Sequence, residues 1–421
     1  MPSDYDNNLL RQAILHARVG EYDLAQRYLE RAIELADDHE TRVQSNYWMS
    51  VVIRDPAEKR KYLEETLANE PTHPEARRAL ALLDGRLQPG ELINPDALPG
   101  PAAQTQAATT DRFTCPTCGG RMAFAPDGRS LVCDFCSRNQ TLAAAAPQQE
   151  QDFILSMATR RGHRPPQTVK TVSCQGCGAQ FVLPPEQMAS ACPYCGSNHV
   201  VHGTHDLIAP DAIIPMTLDQ RQAAQRLVAW AQQRELTPQG KVQAPRGVYA
   251  PVWSFDLLGN IPWRGTLQRD RQRVPVNGEK LVSFNEICVP GAPKLADLLP
   301  KIMSGFDTAN APAYDPRYLA GWPAELPTLA LADASLEARE QAAQRLRSLL
   351  RTEIGPVSDL GYSTAGLAIQ TFQLILVPLW LTNFPYDGQE YPVIINGRQG
   401  SLHCEIPPRG LLGWINEFIG S

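Results

Sequence analysis

The sequence lacks an excess of positive charge. Its 421 residues include 39 Lys and Arg against 45 Asp and Glu, a formal net charge of -6, and its pI is about 5.8. A surface that binds a phosphate backbone usually shows a clear basic excess. The chain as a whole therefore has no attraction for polyanions, which disfavours nucleic acid as its main ligand.

The sequence also lacks a hydrophobic run long enough to cross a membrane. Its most apolar stretch, LILVPLWL, spans only residues 374–381, whereas a membrane span needs about 20 apolar residues. Because the stretch is short and contains Pro378, we interpret it as a buried strand. The first residues, MPSDYDNNLLRQA, have neither the basic nor the apolar region of a signal peptide. We expect a cytoplasmic protein without a transmembrane segment.

Recognisable catalytic motifs are missing as well. The sequence contains no GxxxxGK[ST], GxGxxG, HExxH or GxSxG, and GYSTAG at residues 361–366 has the wrong spacing. Trp253 and Trp380, each near a proline in an apolar run, are more typical of a core than of a ligand cage. These absences favour a protein that is not an enzyme. The remaining enzyme alternative is a site built from dispersed residues of the C-terminal half.

Cysteine is the residue type with the clearest pattern. CPTCGGRMAFAPDGRSLVCDFC and CQGCGAQFVLPPEQMASACPYC both read C-x2-C-x14-C-x2-C, and together they hold eight of the ten cysteines. In a chain of this size the pattern indicates thiolate metal sites in a reducing compartment, not a disulfide framework. The predicted ligands form two quartets: Cys115, Cys118, Cys133 and Cys136, and Cys174, Cys177, Cys192 and Cys195.

Zinc is the metal that this donor set favours, because four thiolates complete its tetrahedral shell. Gly119, Gly178 and Gly196 follow the second Cys of three pairs, where glycine tolerates a left-handed turn. A redox role for CxxC would need a βαβ context, which is absent. A closed shell leaves no open position for water or substrate. We therefore expect two structural Zn²⁺ ions in two zinc ribbons.

Nucleic-acid binding by the ribbons is the alternative function. Residues 111–206 contain eight basic and seven acidic residues. Each Zn(Cys)4 centre adds about -2, which brings the region to about -3. One basic cluster between the ribbons could attract phosphate: Arg160, Arg161, Arg164 and Lys170. A solvated linker is the simpler interpretation of that cluster.

Two further groups contain residue types that ligate metals. His199, His202 and His205 follow the second quartet, but a strand would distribute their rings over both faces. Cys288 and Cys404 stand alone, and each is followed closely by a proline. We interpret these two cysteines as small buried hydrophobic residues.

The first 86 residues have a helical period. Gly20 interrupts a pair of helices whose small and large residues alternate as in a tetratricopeptide repeat, and a looser unit ending near Pro71 follows. An ordinary helical bundle is the alternative. Residues 87–112 then lose both periodicities and are rich in Pro, Gly, Ala and Thr, which indicates a linker.

The C-terminal half contains an internal repeat. QAAQRL occurs at 222–227 and again at 341–346, and the related stretches YAPVWSFD and LVPLWLTN follow these two helices. Each copy has the pattern of an amphipathic helix followed by a β-meander. Four dipeptides are predicted turns of these meanders: Gly259-Asn260, Asn277-Gly278, Asp387-Gly388 and Asn396-Gly397.

These features predict a multidomain chain that joins an all-α helical repeat, two small β zinc ribbons and a duplicated α+β domain. The predicted boundaries are tetratricopeptide-like helices 1–86, linker 87–112, zinc ribbon 113–140, linker 141–170, zinc ribbon 171–206 and duplicated α+β domain 207–421, with copies at about 211–291 and 330–410.

The chain resembles bacterial tandem zinc-ribbon proteins, often labelled TFIIB-type or replication-restart-helicase-like. The likeness is carried by CPTCGG, CPYCGS, YAPVWSFD, YDPRYLAGWPAE and the run from LVPLW to YPVIINGRQG. The helicase label implies a nucleotide-driven motor, and this chain has no motif for one. The modules instead indicate a non-enzymatic adaptor, whose helical repeats bind a protein partner.

Overall fold

The computed structural model has an N-terminal group of helices and a C-terminal body built on a large, mainly antiparallel sheet. It describes residues 4–36, 38–88, 91–92, 106–107, 113–143, 145–158, 167–174, 180–182, 194, 200–207, 210–269, 272–292, 295–354 and 357–406. The protein is therefore a multidomain α plus β protein, which confirms the predicted fold class at this coarse level.

Residues 4–88 form a stack of helices: α1 (Asp4–Arg18), α2 (Tyr22–Leu35), α3 (His39–Val52), α4 (Pro56–Asn69) and α5 (Pro74–Leu83). Each helix packs against the next along the chain. Gly20, with a φ of +85°, makes the predicted break between α1 and α2. Leu29 and Met49 are among the buried side chains between the helices. The helical period of this region is confirmed.

The first cysteine quartet belongs to a small sheet. After the short strand β1 (Gln106–Ala107), the chain forms β2 (Met122–Phe124), β3 (Ser130–Cys133) and β4 (Asn139–Thr141). The last three strands pair antiparallel in chain order. Asp127 and Gly128 lie in the turn between β2 and β3, where Gly128 has a φ of +74°. A hairpin thus spans the x14 spacer.

The remaining elements build the body. In chain order they are β5 (Gln151–Asp152), α6 (Phe153–Ala158), β6 (Gln167–Cys174), β7 (Gln180–Val182), β8 (Val200–Leu207), β9 (Ala212–Ile213), α7 (Gln220–Gln233), β10 (Arg246–Arg269), β11 (Gln272–Pro290), β12 (Ala324–Glu325), α8 (Leu331–Ile354), β13 (Val357–Tyr362), β14 (Ala368–Tyr386), β15 (Gln389–Asn396) and β16 (Leu402–Cys404). Within the described residues, β1 and β5–β16 form one 13-stranded sheet.

The strands β10 and β14 lie side by side at the centre of this sheet. Residues 374–381 are all buried in β14, which confirms the predicted strand. Alternate side chains point to opposite faces, and both faces are covered: α7 and α8 pack on one face, and residues 295–311 pack on the other. No helix among the described residues combines the length and the apolar character needed to cross a membrane.

The two conspicuous tryptophans are core residues, as predicted. Trp380 is 3% exposed and packs in the cluster that α7 covers, and Trp253 is 2% exposed and packs under α8. Each buried indole N–H donates a hydrogen bond to a backbone carbonyl, at Leu218 and Leu329 respectively. These contacts leave neither ring available as a ligand cage.

Two of the four predicted turns are wrong. Gly259-Asn260 lies inside β10, and Asn277-Gly278 lies inside β11, paired with β10. Close backbone approach explains the first glycine, because a Cβ on Gly259 would lie 2.3 Å from the carbonyl oxygen of Gly366. In both cases the pairing of long strands overrides a local turn signal.

The other two predicted turns are present. Asp387 and Gly388 connect β14 to β15 with φ values of 51° and 70°. Positive φ at both central residues is the property of a type I′ turn. Asn396 ends β15 and Gly397 opens the turn to β16.

The predicted linker 141–170 needs correction. β5 pairs with β14, and Phe153 of α6 contacts the rings of Phe255 and Phe372. The part of this segment that forms β5 and α6, residues 151–158, therefore belongs to the body. Pro, Ala and Gln in its sequence gave a linker-like composition, but its apolar residues are covered by tertiary contacts.

Candidate metal centre

The sulfur atoms of the first quartet converge. All four lie within 4.8 Å of one another. The sulfur of Cys118 is 3.4 Å from that of Cys136 and 3.5 Å from that of Cys133, and those of Cys115 and Cys136 are 3.6 Å apart. Sulfurs about 2.3 Å from a tetrahedral zinc would lie about 3.8 Å apart. The cluster is therefore compatible with a zinc site.

Each Cys pair lies on a tight turn. In the first, the Gly119 N–H donates to the Cys115 carbonyl at 2.8 Å, and the Cys115 N–H donates to the Gly120 carbonyl at 2.7 Å. Gly119 has a φ of +70°, which explains the glycine after the CxxC. In the second pair, Ser137 takes the equivalent left-handed conformation, with a φ of 55°.

The turns direct backbone N–H groups at the sulfurs. Those of Thr117 and Cys118 lower the pKa of the Cys115 thiol to about 6. The N–H groups of Cys136 and Phe135 likewise lower the pKa of Cys133.

The remaining thiols show why a cation suits the cluster. At Cys118 the Gly120 N–H favours the thiolate, but the sulfurs of Cys136 and Cys133 outweigh it and raise the pKa to about 12. Four adjacent thiolates repel one another unless a cation compensates them. An all-sulfur tetrahedral donor set is typical of zinc or iron.

The centre is attached to the body through β2. Phe124 is 2% exposed, and its ring meets that of Tyr318 edge to face at 4.9 Å. The Phe124 N–H donates to the Ala320 carbonyl at 2.8 Å, and the indole of Trp322 donates to the Phe124 carbonyl at 3.2 Å. The small sheet is therefore packed on the body.

The second quartet lies mostly outside the described residues. Cys177, Cys192 and Cys195 are among the residues not described, and Cys174 ends β6. Tyr194, between the last two cysteines, is described: its hydroxyl donates to the buried carboxylate of Glu325. This contact joins Tyr194 to the body.

The two isolated cysteines do not come together. Cys404 packs in the cluster that α7 covers, whereas Cys288 packs on the opposite face of the sheet. Burial raises the pKa of each thiol to about 11. Each thiol therefore stays protonated at neutral pH, as is typical of unreactive structural cysteines. In β8, His202 pairs with Val172 and His205 with Val169. His199 lies outside the described residues, as do Arg160, Arg161 and Arg164, and Lys170 lies in β6.

Sequence reasoning missed a carboxyl cluster at the centre of the body. The Thr371 hydroxyl donates to Glu150. Burial, followed by the neighbouring carboxylates of Asp256 and Glu286, raises the pKa of Glu150. The Glu286 N–H donates to Asp256 at 2.8 Å. These residues are far apart in the chain and belong to no motif, so no sequence signal could have identified them.

The fold and the site define a multidomain α plus β protein with a four-cysteine centre that could hold a metal. The chain is similar to the uncharacterized protein YdjG of Bacillus subtilis (strain 168), with 23% identity over 329 residues, covering 73% of this chain and 94% of that protein. No protein-family profile matches the chain, and no solved structure matches it. The name of that relative states no activity.

Proposed function

We propose that this protein is a non-enzymatic, zinc-binding adaptor of the cytoplasm that mediates protein–protein interactions. The observation that carries the proposal is the closed cysteine cluster packed on the body. A four-thiolate shell stabilises a fold and offers no position for a substrate. The metal would then shape a surface, which is the role expected in an adaptor.

Both cysteine quartets are proposed to be zinc ribbons, with two structural Zn²⁺ ions per chain. The hairpin and the paired turns of the first quartet support this, and the second quartet repeats its spacing. The resemblance to bacterial tandem zinc-ribbon proteins agrees with the same architecture.

The body is proposed to be a duplicated unit, and the register of β10 and β14 supports this. Tyr249 pairs with Pro378, and Pro251 pairs with Leu376. Ala250 of β10 pairs with Val377 of β14, and each of these residues is followed by a proline, Pro251 and Pro378 respectively. A two-fold relation between the copies would produce this register.

Hydrogen bonds around the prolines give further support. The Gly291 N–H donates to the Pro251 carbonyl at 2.8 Å, and the Gly397 N–H donates to the Pro378 carbonyl at 2.9 Å. These matched bonds favour Gly291 as the equivalent of Gly397. Gly278, which lies inside β11, is then not the counterpart of Gly397.

The helical stack is proposed to be a tetratricopeptide-like array that binds the protein partner. Its exposed large apolar side chains support an interaction surface. Leu15 is 63% exposed and Val19 is 72% exposed, one turn apart at the end of α1. Large apolar side chains grouped on a surface are typical of binding sites.

Metal analysis and partner capture test the adaptor proposal. Elemental analysis of the full chain purified without added metal is expected to give two zinc ions per chain. Cross-linked affinity purification should recover a defined partner that Leu15→Glu loses. Leu336→Glu on α8, where Leu336 is 66% exposed, is the matched control and should retain it. A metal-free chain, or a turnover activity without any partner, would refute the proposal.

Nucleic-acid binding remains the second candidate, supported by the basic segment that contains Arg160, Arg161 and Arg164. Phosphate contacts would make its affinity fall steeply between about 50 and about 200 mM salt. Fluorescence anisotropy of labelled DNA and RNA at both salt concentrations would detect it. Tight, salt-sensitive binding that requires these arginines would favour this candidate over the adaptor.

A further inference from the structure

Three exposed arginines meet where the small sheet joins the body: Arg129, Arg226 and Arg398, here called the arginine seam. Arg129 follows the β2–β3 turn, Arg226 lies on α7, and Arg398 lies in the β15–β16 turn. Among the described residues, no carboxylate forms an ion pair with any of the three. Burial opposes the ionisation of Asp127, but hydrogen bonds from Ser130 and the nearby charge of Arg129 lower the pKa of that carboxyl. Arg226 and Arg398 are therefore the two guanidinium groups of the seam that are available to a ligand.

Close contacts bring these arginines together. A Cβ placed on Gly128, next to Arg129, would lie 3.4 Å from the Nη1 atom of Arg398. A Cβ placed on Gly400, two residues after Arg398, would lie 2.8 Å from the Nε atom of Arg226. The guanidinium of Arg398 thus lies against the turn that carries Arg129, and the guanidinium of Arg226 lies against the turn that carries Arg398.

The turns that carry Arg398 and Arg129 are rigid. The buried Asn396 side chain accepts hydrogen bonds from the N–H groups of Arg398 and Gln399 at 2.8 and 2.9 Å. The Thr217 hydroxyl donates to the Arg398 carbonyl at 2.7 Å. On the other side, Asp127 accepts from the Arg129 N–H at 2.9 Å. Because the backbone is already ordered, binding would cost less conformational entropy.

Two acidic side chains on the same turn and helix as these arginines, Asp127 and Asp219, accept hydrogen bonds from the backbone. Asp127 accepts hydrogen bonds from the backbone N–H and the hydroxyl of Ser130. Asp219 caps α7 and accepts from the Gln222 N–H at 2.7 Å. Both carboxylates keep their negative charge, so the three arginines and these two aspartates together carry a formal charge of +1, on a chain whose net charge is -6.

We propose that the arginine seam is a docking surface for an acidic peptide segment of a protein partner. The proposal rests on the adaptor function and adds the chemistry of the partner. Arginine forks bind carboxylates in bidentate geometry. Arg226 and Arg398 suit a short acidic segment, whereas a nucleic acid would extend over the surrounding surface, where the acidic balance of the chain repels it.

The test is the binding of a fluorescein-labelled peptide of alternating Glu and Ser to the full zinc-loaded chain, followed by anisotropy. We expect binding that weakens with salt and that falls about tenfold or more in the double variant Arg226→Glu/Arg398→Glu. The matched control is Arg339→Glu/Arg347→Glu, which reverses two exposed arginines of α8. It changes the net charge equally and should retain the affinity within about twofold. Circular dichroism and zinc content establish that both variants are folded.

Three results would overturn the seam proposal. The first is that the peptide does not bind to the unmodified chain. The second is that the control variant loses as much peptide affinity as the seam variant. The third is that a labelled DNA duplex binds more tightly than the peptide and that the seam variant no longer binds this duplex. If the peptide does not bind while Leu15→Glu still abolishes partner capture, the seam proposal fails and the adaptor function stands. If partner capture also fails, both are refuted.

Discussion

Replacing Phe124 by alanine should destabilise the whole C-terminal body, although the residue lies in the small cysteine-bearing sheet. Phe124 is 2% exposed, and its ring packs in the same cluster as Trp380 of β14. If the small sheet is an integral part of the body, the cavity left by the missing ring lies in the core of the body. If the small sheet were an independent module on a linker, the damage would remain within it.

The expected loss is about 3–5 kcal/mol, the range for Phe→Ala in a well-packed core. Of this, about 0.5–1.5 kcal/mol belongs to the edge-to-face pair with Tyr318. The backbone hydrogen bonds of Phe124 to Ala320 and Trp322 survive the substitution. With a guanidinium m value of about 5 kcal/mol/M, the unfolding midpoint should fall by about 0.6–1 M.

Tryptophan fluorescence during guanidinium unfolding measures this effect cleanly. The residues from 113 to 143 contain no tryptophan, so the signal reports the body and, through Trp48, the helical stack. Phe135→Ala is the matched control, because Phe135 lies in the same small sheet region but is 78% exposed. Its substitution should change the stability by about 0.5 kcal/mol or less.

A tryptophan transition that Phe124→Ala leaves at the same midpoint as Phe135→Ala would refute this reasoning. The small sheet would then unfold separately from the body. A chromophoric chelator that records zinc release in the same titration would show that separate transition directly.

Three further predictions follow from particular residues. Glu150→Gln should stabilise the chain at neutral pH, because burial and the Asp256 carboxylate raise the pKa of Glu150 and disfavour its charged form. In urea unfolding the gain should begin to shrink as the pH falls through that raised pKa and should vanish below the ordinary pKa of a glutamate, whereas destabilisation at neutral pH would contradict the prediction. Cys118→Ser should remove one zinc ion per chain by elemental analysis, whereas Cys288→Ser should remove none; equal losses would argue against the first quartet as the ligand set. Gly388→Ala should lower stability by about 1 kcal/mol in thermal unfolding, because position 388 has a φ of +70°, and an unchanged midpoint would contradict the turn assignment.

Local patterns in the sequence were sufficient for several elements. Residues 374–381 form an unbroken apolar run because β14 is buried on both faces, and that run predicts a buried strand. Asp387 and Gly388 predict a hairpin because their type I′ turn needs positive φ at both positions. The repeated Cys spacing predicts a metal cluster because four thiolates on two tight turns can surround one ion. In each case the physical requirement is met by residues close together in the chain.

Tertiary structure decided what depends on distant segments. Gly259 and Asn277 carry turn signals, yet both lie within long strands because neighbouring strands supply their hydrogen bonds. The docking of the small sheet on the body depends on Phe124 meeting Tyr318, nearly two hundred residues later in the chain. The arginine seam likewise combines a hairpin, a helix and a turn from separate regions. The sequence by itself determined the local elements and the donor set, and packing alone determined which of their surfaces meet, because such contacts leave no periodic pattern in the chain.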